Sequence, residues 1–161
     1  AAGREYVTIL GEGQWTPSPW INVIANPAFG FQVSESGSGY TWSINSREHQ
    51  LTAWSNDPVS DPPGETIYIR DEESGELWGP TALPVREETG AYVARHGQGY
   101  SRFERVSHGV SLELLRVLDT WIAARQQETL VGAAVHDLLT HVVDEVHEIC
   151  GTLGKELLGA D

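Results

Sequence analysis

Two groups of polar residues sit beside aromatic side chains, and both have the composition of a sugar or phosphate contact. In the first, Arg47, Glu48, His49 and Asp57 bracket Trp54. Arginine offers a planar donor fork, and carboxylates accept hydrogen bonds from sugar hydroxyls. In the second, Arg95, His96, Gln98, Tyr100 and Arg102 are interleaved with Gly97, Gly99 and Ser101. Glycines there allow a tight turn or a close approach of backbone to a ligand. Trp15, Trp20, Tyr40, Trp42, Trp54 and Trp78 add flat faces that can cover the CH side of a pyranose ring. The carbohydrate-contact candidates are therefore Trp15, Trp54, Arg47, His49, Asp57, Arg95, His96, Gln98, Tyr100 and Arg102. Each group also has a plainer reading. Loop charges are commonly solvated, and the second run can be a structural bend between two strands. Trp20 and Trp42, inside strand-like alternation, are read as core.

Other chemistry is poorly represented. His136, His141 and His147 are spaced by five and six residues, not the i, i+4 pairing that puts two ligands on one helix face. They are read as surface histidines, and no metal or cofactor is expected. No G-x-S-x-G elbow, P-loop or C-x-x-C pair occurs. Adjacent acids such as Asp71, Glu72 and Glu73 lie in a turn, where nothing raises a carboxyl pKa toward general-acid work. Cys150 is the lone cysteine and is read as a buried thiol in an apolar stripe. A formal net charge of −13 argues against binding a nucleic-acid backbone. No apolar run reaches membrane-span length. The sequence has no methionine, which reads as a processed product or a piece of something larger.

The elements that must hold these residues are mostly strands. Period-2 alternation marks Tyr6 to Leu10, Ile21 to Ala25, Phe29 to Ser34, Tyr40 to Trp42 and Thr66 to Arg70. A hairpin closes through Asp71-Glu72-Glu73-Ser74-Gly75 into Leu77-Trp78. Tyr92 to Ala94 and Tyr100 to Val106 read as two strands around residues 95–99. Between Ser55 and Gly64 the density of Asn, Asp, Pro and Gly marks a long exposed loop, the sort that more often carries function than not. Short strands with turn chemistry between them predict an antiparallel β-sandwich over residues 1–115. From Leu114 and Leu115 onward, through Leu118, Trp121 and Ile122, the spacing becomes helical. A 3.6-residue stripe from Val131 to Leu157 then predicts an amphipathic helical hairpin over residues 116–161. The fold class is thus mainly β with a helical C-terminal tail.

One continuous stretch carries a family likeness: TPSPWINVIANPAFGFQVSESGSGYTWSINSREHQLTAWSNDPVSDPPGETIYIRDEESGELWGPTALPV, followed by YVARHGQGYSRFE. It resembles the N-terminal supersandwich-like domain of the glycosyltransferase 36 group, the cellobiose- and chitobiose-phosphorylase-like enzymes of glycoside hydrolase family 94. The wording runs nearest to the cyclic β-1,2-glucan synthase branch, and the likeness covers roughly residues 3–115. It implies a carbohydrate-associated module whose catalytic acid lies elsewhere, in an (α/α)₆ barrel, so that no catalytic residue carries over. It also implies a cytoplasmic setting, with a parent synthase associated with the inner membrane. Expected partners are a β-glucan or oligosaccharide, the barrel of the parent enzyme, and a second copy in a homodimer. The alternative is a structural or interaction domain whose tail docks on a partner or on its own copy.

Overall fold

Alternating side chains become nine strands among the residues described by the computed structural model, which are residues 4–118. They are β1 (Glu5–Leu10), β2 (Ile21–Ala25), β3 (Phe29–Ser34), β4 (Gly39–Ser43), β5 (Ile69–Arg70), β6 (Leu77–Trp78), β7 (Tyr92–Gly97), β8 (Tyr100–Ser107) and β9 (Val110–Val117). One antiparallel sheet has the order β1-β7-β8-β9, a second the order β2-β3-β4, and β5 pairs with β6 as a short ribbon. The first sheet is a meander, β7-β8-β9, with β1 added from far back in the chain.

Turn chemistry sets the registers. Asn26 Oδ1 accepts from the backbone N–H groups of Ala28 (2.8 Å) and Phe29 (2.9 Å), which folds β2 back onto β3. His108 and Gly109 both have positive φ, 52° and 74°, the pair a two-residue type I′ hairpin requires. That turn aligns Ser107 with Val110 and fixes β8 against β9 along their whole length.

Alternation then decides the core. Ile24, Phe31 and Val33 from the three-stranded sheet meet Ala94 and Phe103 from the four-stranded sheet, and Leu114 and Leu118 close over them. Burying side chains of this size stabilises by roughly 1.5–3 kcal/mol each. A smaller cluster of Leu10, Tyr92 and Ala82 roofs one end. Asn22 bridges the sheets. Its amide nitrogen reaches the carbonyls of Gly97 (3.0 Å) and Tyr100 (2.9 Å) and the hydroxyl of Ser101 (3.0 Å).

The strands differ from the sequence expectations in four places. Of Thr66 to Arg70, only Ile69 and Arg70 pair. Glu65 just before them is committed to Thr41, Thr52 and Arg116, which holds the chain away from a ladder. β7 continues through Arg95 and His96 to Gly97, so the link to β8 is only Gln98-Gly99, with Gly99 at φ 84°. Leu114 and Leu115 are strand, inside the expected sandwich limit, and β9 runs on through Arg116 and Val117, where the helical tail was expected to begin. The spacing of the two leucines fits either period, and pairing with Phe103 and Arg102 decides it. Trp20, expected in the core, is 49% exposed, whereas Trp42 is buried as expected. The remainder of the expected helical tail lies outside the described residues, as do Cys150, His136, His141 and His147.

Candidate functional site

Gly30 is where the exposed aromatic site begins. A Cβ there would lie 2.5 Å from the Trp42 ring, so only glycine lets that indole lie flat across β3. Trp42 in turn supports Tyr40, with ring centroids 5.1 Å apart. Tyr40 carries Trp54 in a near-parallel stack, 5.1 Å between centroids and 16° between planes. Tyr40 and Trp42 are buried and Trp54 is 44% exposed, so a three-ring pile ends in one accessible indole.

The loop that brings Trp54 there is tied down at both ends. Thr52 Oγ1 accepts from the Thr41 N–H at 2.8 Å and donates to Glu65 Oε1 at 2.6 Å. Glu65 also accepts from the Thr41 hydroxyl and pairs with Arg116 of β9, whose guanidinium lies 4.9 Å over the Phe31 ring. Ser34 Oγ donates to Asp61 at 2.5 Å, and Ser38 Oγ donates to the Pro62 carbonyl at 3.0 Å. Gly64 passes directly against the backbone carbonyls of Ala53 and Gly39, with no room for a side chain. A long loop anchored this way holds its exposed ring in one place.

The polar candidates near it are surface groups. The Arg47 side chain is 90% exposed and pairs only with its neighbour Glu48, at 3.5 Å. Glu48 and His49 are exposed in a turn organised by Asn45. Asp57 sits at the loop tip, where its carboxylate accepts from the Ser60 hydroxyl and from the N–H groups of Val59 and Ser60. Those bonds, the Ser60 hydroxyl foremost, pull its pKa below the ordinary aspartate value. It is ionised at neutral pH and able to accept, not donate, hydrogen bonds.

The second group does not converge on one point. Arg95 and Arg102 are cross-strand partners on the outer face of the four-stranded sheet. Arg95 bonds Glu104 (3.1 Å) and faces Glu5 (3.8 Å), and Arg102 faces Glu113 (3.6 Å). The Tyr100 hydroxyl donates to Glu5 at 2.5 Å, a bond that raises the phenol pKa. Gln98 is exposed in the turn. His96 points to the opposite, inner face, between Ser101 Oγ (2.9 Å) and the Trp20 carbonyl (3.2 Å). This run is a charged ladder with one inward histidine, its two strands joined through Gln98-Gly99. Trp15 is apart from both groups, under the Arg86 guanidinium at 4.2 Å.

Two residues escaped the sequence reading. Glu35 is 2% exposed and accepts from the Thr16 hydroxyl and from the Trp20 N–H (2.6 Å). Tyr6 stacks on Trp20 at 5.3 Å and 18°. Glu35 lies in a Ser-Glu-Ser-Gly turn that looks solvated, and nothing local marks it as buried. Among the described residues no group of three His, Cys, Asp or Glu could hold a metal ion, and no helix is long and apolar enough to cross a membrane.

Comparison with known proteins agrees with this architecture. Over 123 residues the chain is 44% identical to the cyclic β-(1,2)-glucan synthase NdvB of Rhizobium meliloti, covering 76% of this chain and 4% of that protein. It is 30% identical over 109 residues to the N,N′-diacetylchitobiose phosphorylase of Vibrio furnissii, covering 66% of this chain and 13% of the relative. It is 31% identical over 120 residues to the solabiose phosphorylase of Paenibacillus borealis, covering 68% and 14%. The chain thus spans a small part of each relative. The glycosyl hydrolase 94 supersandwich-domain model matches residues 4–120, which takes in every strand described above, and the chain belongs to that family.

Proposed function

We propose that this chain is a non-catalytic carbohydrate-binding module of a glycoside phosphorylase or β-glucan synthase, and that Trp54 is its principal sugar contact. The observation that carries this reading is the accessible Trp54 indole, stacked on Tyr40 and held by an anchored loop. A pyranose ring buries its CH face on such a surface without ordering the protein first. Asp57, in the same loop as Trp54, adds an acceptor for sugar hydroxyls, and Arg47 and His49 are exposed polar groups of the preceding turn. The carboxylates with shifted pKa values favour binding over acid catalysis. Asp57 and Asp71 are pulled down by hydrogen bonds from Ser60 and from the Glu73 N–H respectively. Glu87 is pushed up by burial and pulled down further by His108, Ser107 and Arg105, so it too ends below the ordinary value. The relatives' names supply the ligand class, a β-linked glucan or related oligosaccharide. Chemistry is assigned to a barrel elsewhere in the parent protein, in a cytoplasmic setting.

The test is titration of the chain with neutral β-linked gluco-oligosaccharides, read by tryptophan fluorescence. Binding is expected to weaken about tenfold, or about 1.4 kcal/mol, in Trp54→Ala. Binding that is absent, or indifferent to that substitution, would overturn the proposal. Sustained release of sugar 1-phosphate from β-glucans in the presence of phosphate would overturn the non-catalytic part.

One observation favours an interaction domain as a second reading. The outer face of the four-stranded sheet exposes Val7, Ile9, Leu115 and Val117 around the Arg95–Arg102 ladder. Sedimentation across a concentration series checks it. Association lost in Leu115→Glu with the fold intact would support that reading, and a monomer throughout would remove it.

A further inference from the structure

The open seam between the two sheets holds a second aromatic pair. Tyr6 lies on β1 and Trp20 enters β2, and these strands are edges of different sheets. Their rings stack at 5.3 Å and 18° yet remain 53% and 49% exposed. An isolated exposed indole is unremarkable and is usually free to reorient. This one is held from several directions. The Trp20 backbone N–H donates to Glu35 Oε2 at 2.6 Å, and the Trp20 backbone carbonyl accepts from the Glu35 N–H at 3.2 Å. The same carbonyl faces His96 Nε2 at 3.2 Å. The other Glu35 oxygen fixes Thr16, four residues back, and Pro17 and Pro19 stiffen the chain between. Glu35 is the largest fully buried side chain of the described residues, and all the side-chain hydrogen bonds described for it go to this segment.

Burying a carboxylate is unfavourable unless its bonds are made. Here those bonds do not join core to core. They fix the main chain that carries an exposed ring, and the Tyr6 stack orients the ring itself, an arrangement expected of a preorganised contact. The pair matches Tyr40–Trp54 in spacing and tilt, but where Tyr40 is buried under Trp54, Tyr6 and Trp20 are both accessible. The two pairs belong to opposite edges of the three-stranded sheet, since Trp20 leads into β2 and Tyr40 lies on β4.

We propose that Tyr6 and Trp20 form a second carbohydrate-stacking platform, separate from Trp54, which takes another pyranose unit of a neutral glycan. The proposal rests on the carbohydrate reading of this module. Two platforms on one rigid scaffold make affinity depend on ligand length, because a chain that reaches both gains the second contact intramolecularly.

The experiment follows the indole N–H signals of the full chain by NMR during titration with neutral β-linked gluco-oligosaccharides of increasing length. Signals are assigned by single Trp→Phe substitutions. The expected result is that Trp20 and Trp54 both shift, and that Tyr6→Ala abolishes the Trp20 shift while the Trp54 response persists. Tyr6→Ala leaves the Trp20 main-chain bonds and the reporter indole in place, so a lost Trp20 shift reads the platform and not the fold. A Trp20 signal unmoved where Trp54 saturates overturns this inference and leaves the proposed function standing. A Trp20 response that depends on protein concentration and not on sugar also overturns it, marking the seam as a contact between copies. If neither indole moves, the carbohydrate reading and this inference fail together.

Discussion

His96 Nε2 lies 3.2 Å from the carbonyl oxygen of Trp20, which joins β7 of one sheet to the chain entering β2 of the other. A carbonyl only accepts, so Nε2 carries the proton, and Nδ1 accepts from the Ser101 hydroxyl at 2.9 Å. Burial favours this neutral form of the imidazole. Burial lowers its pKa from 6.5, against smaller opposing pulls from the Trp20 bond and the Glu35 charge.

The sign of the pH dependence follows. A histidine whose folded pKa is depressed contributes stability above its unfolded value near 6.5. That contribution is lost as pH falls through the folded pKa. Wild-type melting temperature is expected to fall as pH drops below about 6.5. His96→Gln is expected to flatten that part of the curve while lowering the plateau. An equally steep acid limb in the variant would remove His96 as its source.

Glu65 and Arg116 form the ion pair that anchors the Trp54 loop to β9. Both side chains are largely buried, so deleting one partner leaves the other unpaired. Glu65→Ala is expected to destabilise by about 3 kcal/mol, read by denaturant unfolding. Glu65→Gln, which still reaches the Thr41 and Thr52 hydroxyls, is expected to lose less. Equal losses would show that the charge is immaterial.

Gly30→Ala drives a methyl into the Trp42 indole and toward Ala25 Cβ, 2.8 Å away. Overpacking of this kind costs about 1–3 kcal/mol. Because Trp42 supports Tyr40, and Tyr40 supports Trp54, sugar affinity should fall as well as stability. A stability loss with unchanged affinity would uncouple the ring pile from the binding surface.

Asn22→Leu is close in size but removes the amide that meets Gly97, Tyr100 and Ser101 across the sheets. Two main-chain carbonyls and a hydroxyl lose a donor, and a loss of about 1–3 kcal/mol is expected in thermal or denaturant melts. A variant as stable as wild type would place the bridging function elsewhere.

Most of the strands were legible because alternation and turn residues act locally. Ile21 to Ala25 and Phe29 to Ser34 were read at their observed limits. The failures came where a distant partner overrides the local pattern. Thr66 to Arg70 alternate well, but the start of that run is held by Glu65 reaching Arg116. Arg116 and Val117, expected in the tail, follow Leu114 and Leu115, which carry two periods at once, and only pairing with β8 chooses between them. At the candidate site, Trp54 could be read from its place beside a Pro/Gly loop. Trp20 could not, because its exposure depends on lying at the edges of two sheets that a linear sequence does not reveal. Glu35 was invisible for a related reason: its bonds run to Thr16 and Trp20, while its neighbours are serines and glycines.

The pairing of β1 with β7, which sets Glu5 opposite Gly97, has a consequence for assembly. β7, β8 and β9 are joined by two-residue turns and can zip up from nearby sequence. β1 can dock only after nearly the whole intervening chain has been gathered in, and that closure carries an entropy penalty which local contacts do not offset. The four-stranded sheet is therefore expected to begin as a three-stranded meander, with its first strand arriving late. Loss of β1 would also remove Tyr6 from its stack with Trp20, so the seam completes only in the last step of folding. Hydrogen exchange followed during refolding would show β1 amides protected after those of β8, and the reverse order would refute this sequence of events.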